Sequence, residues 1–123
     1  MDTNQNKTAA IEVETATFES QVLGSKVPVL VAFRTTWSRA CLVLERTLDE
    51  VAAASAGDLK VAKVDADDHL DLSLTYDIQF VPTLLFFVDG APRARVVGTC
   101  SKEAILSALR AASGGRSGGQ GNR

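Results

Sequence analysis

What the sequence has little of narrows it first. Of 123 residues only two are cysteine and one is histidine. Cys41 and Cys100 are too few and too far apart for a disulfide scaffold or a structural zinc site. No apolar run approaches the ~20 residues that a membrane helix needs, so no membrane association is expected. Excess positive charge is missing as well: 13 Lys and Arg stand against 15 Asp and Glu, a net charge of −2. Nucleic acid and anionic lipid are therefore excluded as main partners. The opening residues, Met1-Asp2-Thr3-Asn4-Gln5-Asn6-Lys7, lack the apolar core of a secretory signal, and the expected address is the cytoplasm, where thiols stay reduced. Asp65, Asp67, Asp68 and Asp71 have neither the glycine nor the terminal glutamate of a calcium loop, and no glycine-rich phosphate loop opens a helix. No metal and no cofactor is expected.

What is present is ordinary material for one globular domain, 46% hydrophobic and 23% charged, long enough to bury a core. Residues 1–9 are polar and expected to fray. Ile11-Glu12-Val13 alternates as a short strand, and Phe18, Val22 and Leu23 mark a helix over 17–23 that stops at Gly24. Val29 to Phe33 is a buried strand, apolar, β-branched and too short for a helix. Ser38 is placed to cap a helix reaching about Ser55, with Cys41, Leu44, Leu48, Val51 and Ala52 on one face. Residues 59–65 alternate as a third strand, and 67–76 read as a short helix. Val81 to Val88 is a continuous apolar run, hence a strand covered on both faces. Asp89-Gly90 signals a hairpin to a strand over 93–97. Ser101 caps a last helix through Ala112, and residues 113–123 form a glycine-rich tail expected to be flexible. The order βαβαβαββα predicts an α/β fold, a mixed five-stranded sheet with helices on both faces, in a domain over residues 10–112.

Four stretches in this order resemble the thioredoxin family. A buried strand leads to Trp37-Ser38-Arg39-Ala40-Cys41, similar to the family's Trp-Cys-Gly-Pro-Cys. Val64-Asp65-Ala66-Asp67 closes the third strand like the family's Val-Asp-X-Asp. Tyr76 to Leu84 looks like its Tyr-X-Ile-X-X-Val/Ile-Pro-Thr-Leu, and Asp89-Gly90 is followed by Val97-Gly98. The resemblance implies a thioredoxin fold, a cis bond before Pro82, and a groove formed by Trp37, Val81, Pro82, Gly98 and Thr99. In that groove the backbone of Val81 would pair with an extended client peptide or partner protein.

The departures are equally specific. The family's attacking thiol falls at Ser38, a hydroxyl with no base near it in sequence, and a Ser–His hydrolase using His69 is not expected. Serine at that position is a good helix N-cap. The family's buried acid falls at Ala32, its Gly-Pro at Arg39-Ala40, and a tryptophan at Arg34. These two arginines are either solvated surface residues or attract an acidic client or the carboxylates of glutathione. Cys41 reads as a small core residue or as a residual thiol, and Cys100, just after Val97-Gly98 in a loop that flanks the active site in the family, as a second thiol that could pair with it. Two functions stay open. The first is a monomeric client-binding module in redox homeostasis or protein folding, without ordinary dithiol reductase activity. The second is a residual thiol–disulfide oxidoreductase using Cys41 alone, by exchange with glutathione, or with Cys100.

Overall fold

The structure, a computed structural model, describes residues 10–55 and 57–118. The expectation for residues 1–9 and the end of the glycine-rich tail lie outside the described residues. Among the described residues five strands and four helices follow the predicted order: β1 (Ile11–Glu12), α1 (Thr15–Phe18, continuing as a π-turn over Glu19–Leu23), β2 (Val29–Arg34), α2 (Arg39–Ala54), β3 (Lys60–Asp65), α3 (Leu70–Thr75), β4 (Thr83–Val88), β5 (Ala91–Val97) and α4 (Lys102–Gly118). The strands are arranged β1-β3-β2-β4-β5. The pairs β1–β3 and β2–β3 are parallel, and β2–β4 and β4–β5 are antiparallel.

The side-chain period of two divides the apolar strands between two cores. Val29, Val31 and Phe33 of β2, with Leu85 and Phe87 of β4, pack under α1 and α3 against Val13, Phe18, Val22 and Leu72. Leu30 and Ala32, with Leu84 and Phe86, turn the other way, under the Leu44–Leu48–Val51 stripe of α2 and Ile105 of α4. All six residues of β2 and of β4 are buried, as an apolar run between two helical layers requires.

Differences from the sequence expectations sit at element ends. The first helix starts at Thr15 and finishes as a π-turn, with the Gly24 N–H donating to the Glu19 carbonyl at 2.8 Å. The third helix starts only at Leu70, because the Asp65 carboxylate accepts from the Asp67 and Asp68 N–H groups at 3.0 and 3.2 Å and holds them in a turn. Asp89 and Gly90 both have positive φ, the two-residue turn that matches strand twist. The last helix, capped by Ser101, stays helical to Gly118 instead of ending at Ala112. Once Ile105 has anchored it in the core, each further residue adds a backbone hydrogen bond that offsets the glycine cost.

Candidate functional site

The chain leaving β2 is forced past the start of β4, because Phe33 pairs with Thr83. Thr35 follows and then a short bend, and Ser38 opens α2. Its hydroxyl accepts from the Cys41 N–H at 3.3 Å, and its carbonyl accepts from the Leu42 N–H at 3.0 Å. Ser38 is therefore the helix cap its residue type predicts. Cys41, three residues on, is 1% exposed. Its sulfur accepts a long contact from the Thr35 N–H at 3.5 Å. A thiol so covered offers no surface to a disulfide. Cys100 is half-buried, packed against the core under α2 and α4, and burial pushes its thiol above the usual range. Both cysteines are free.

Around this closed thiol the surface is open. Trp37 is 70% exposed, and its indole N–H donates to Asp67 Oδ2 at 2.7 Å, which holds the ring beside the turn that opens α3. The Val81–Pro82 bond is cis. The Pro82 carbonyl accepts from the Gly98 N–H at 2.8 Å, so Val81, Pro82 and Gly98 are brought together, with Thr99 exposed beside them. Neither the N–H nor the carbonyl of Val81 has a protein partner among the described residues. A half-buried residue with both backbone groups open is a place for another strand to pair.

Arg34 is not where either sequence reading put it. It is neither solvated nor available to a client: only 7% exposed, it closes on Glu12 at 3.0 and 2.6 Å and on Glu45 at 3.2 Å. Glu45 is shared with Lys63, which also reaches Asp49 at 3.1 Å. The five side chains join β1, β2, β3 and α2. For Arg34 and Lys63 burial alone would lower the pKa, but the facing carboxylates outweigh it and raise both. For Glu45 burial would raise the pKa, and the two cations pull it below the usual carboxylate range. Such an acid stays ionised at neutral pH and has no proton to lend Cys41. Residue-by-residue reading missed Glu12, Glu45 and Lys63 as a unit. The available signal was an arginine ending an otherwise apolar, buried strand, which must find acids. Among the described residues no cluster of His, Cys, Asp and Glu is arranged to hold a metal, and no helix is long and apolar enough to cross a membrane. No hydrogen bond joins His69 to Ser38 among the described residues; the His69 ring lies 3.2 Å from the Thr15 hydroxyl.

The Thioredoxin family model matches residues 9–111. The chain belongs to the thioredoxin family. It is 40% identical over 107 residues to the thioredoxin of Mycobacterium tuberculosis, a match covering 87% of this chain and 92% of that protein. It is 41% identical over 103 residues to the thioredoxin of Mycolicibacterium smegmatis, covering 82% and 92%. To thioredoxin 1 of Nostoc it is 37% identical over 101 residues, covering 82% and 94%. Within that thioredoxin frame, a serine cap and a covered cysteine occupy the start of α2.

Proposed function

We propose that this thioredoxin-family protein binds extended segments of client or partner proteins in the groove of Trp37, Val81, Pro82, Gly98 and Thr99, without turning over disulfides as a dithiol reductase. One contrast carries the reading: the Trp37 ring and the Val81 backbone are open where the thiol is closed. Val81 has no backbone partner among the described residues and Trp37 is 70% exposed, while Cys41 is 1% exposed beneath the Ser38 cap. Disulfide reduction needs a thiolate that reaches the client sulfur and a second thiol to resolve the mixed disulfide. A serine hydroxyl serves neither purpose. Burial of Cys41 also weighs against exchange with glutathione, and burial slows Cys100 by keeping it protonated. A cytoplasmic, monomeric protein serving redox homeostasis or folding by holding clients fits the same groove.

The test pairs two measurements. In a dithiothreitol-driven disulfide-reduction assay the natural protein is expected at the uncatalysed rate, and Ser38→Cys is expected to gain turnover. In a titration with an unstructured polypeptide, the emission of Trp37, the only tryptophan, is expected to shift to shorter wavelength on binding. Turnover by the natural protein comparable to Ser38→Cys would overturn the proposal.

A further inference from the structure

The two cores leave one part of the sheet bare. Strand β5 is one of the two edges of the sheet, and α4 packs on its Ala94 and Val96 side. The opposite face, shared with Thr83 and Leu85, carries two recesses along β5. One, of about 260 Å³, is lined by Phe80, Thr83, Arg95 and Val97 with Asp77 and Gln79. The other, of about 330 Å³, is lined by Leu85, Pro92, Arg93, Ala94 and Arg95. Phe80 is 67% and Val97 53% exposed, large apolar groups open to solvent.

The hydrogen-bond phase of the strand is fixed. Gly98 donates to Pro82, and the register pairs Val97 with Thr83 and Arg95 with Leu85. In an antiparallel ladder hydrogen-bonded and non-bonded pairs alternate. The backbone N–H and carbonyl groups of Val97 and Arg95 therefore point away from β4, along the open edge. Charge decides what fits there. Arg93 is the extra residue of the bulge opposite Phe86 and Phe87, exposed, with no partner among the described residues. Arg95 is anchored by the Tyr76 and Asp77 carbonyls at 2.6 and 3.3 Å, so its charge is fixed beside the trough. The Asp77 carboxylate accepts from the Gln79 amide at 2.9 Å. Arginines on an edge repel a second copy of the same strand, which is how sheets guard against self-pairing. The same two charges attract a strand that carries acids.

We propose that the β5 edge is a second docking site, taking an extended acidic segment of a partner protein by strand addition, with an apolar side chain in the Phe80–Val97 recess and carboxylates at alternate positions facing Arg95 and Arg93. This site adjoins the Val81 groove at Phe80 and Val97 but uses different backbone groups, and it does not involve the chemistry at Ser38.

The probe is the peptide acetyl-Thr-Leu-Thr-Glu-Thr-Glu-Thr-amide, titrated into the full-length protein and followed by amide chemical shifts and amide hydrogen exchange. Saturable shifts at Arg95 and Val97 are expected, with slowed exchange of both amides, affinity that falls with added salt, and no binding of the peptide with lysines replacing its glutamates. Arg93→Glu, an exposed change outside either core, is expected to weaken binding by about fivefold to tenfold. Shifts confined to Val81 and Gly98 would refute the edge site while supporting the client groove. Protection of the Arg95 and Val97 amides that depends on protein concentration without peptide would make a second copy the occupant and refute the acidic-partner assignment. No saturable shift up to about 5 mM peptide, a range that captures even millimolar affinities, or undiminished affinity in Arg93→Glu, would also overturn it.

Discussion

Replacing Arg34 by methionine tests the ionic network most directly. The arginine side chain is 9% exposed, whereas Glu12 and Glu45 are 53% and 32% exposed. Removing one member of a fully buried pair costs about 3–5 kcal/mol, because a charge is stranded without water. Here the stranded acids are partly wet, Glu45 keeps Lys63, and the burial cost of the guanidinium disappears. A loss of about 1–2 kcal/mol at pH 7 is therefore expected by urea unfolding. Glu45→Gln separates charge from packing. In the double-mutant cycle of the two substitutions, a coupling of about 1 kcal/mol is expected, as for a charge-assisted pair in direct contact. The pH dependence has a definite sign. Glu45 has a folded pKa depressed from its usual 4.5, so its contribution is complete above that value and is lost as pH falls through the lowered one. Lys63 has a folded pKa raised from 10.5, so its contribution holds below that value and is lost as pH rises through the raised one. The network therefore works between these limits, and the gap between natural protein and Arg34→Met shrinks in acid. A coupling below about 0.3 kcal/mol, the level at which independent sites add, or a penalty unchanged in acid, would refute this account.

Three further outcomes follow from the same geometry. Under native conditions Cys41 is expected to resist a thiol reagent until the protein unfolds, and Cys100 to label slowly, its rate still climbing at a pH where that of a free thiol has levelled off because its pKa is raised; intact mass after timed labelling reads both. Ser38→Ala removes the cap on the Cys41 N–H and is expected to cost about 1 kcal/mol in chemical unfolding, with Ser38→Asp retaining most of the stability. The Thr35 hydroxyl is buried with no hydrogen-bond partner among the described residues. Thr35→Val, which keeps the shape and removes that oxygen, is expected to leave stability unchanged or raise it by up to about 1 kcal/mol; a clear loss would show that the hydroxyl has a partner.

Much of this protein was legible along the chain. A buried strand needs a short apolar run, an amphipathic helix needs a stripe at steps of three and four, and Asp89-Gly90 needs nothing beyond its own φ preference to turn a hairpin. Ser38 as a cap is equally local, since donor and acceptor are three residues apart. These features rest on interactions between near neighbours, and the residue types alone determine them. The tertiary structure decided the rest. Arg34 looked like surface or a client contact until β1 and α2 brought Glu12 and Glu45, 22 and 11 residues away, to its guanidinium. Trp37 acquired its orientation from Asp67, 30 residues on. Cys41 lay on an apolar stripe in the sequence, but only packing fixed its exposure at 1%. Charge partners and solvent access are properties of what the fold brings together. The open edge of β5 exists only because four other strands are arranged on one side of it.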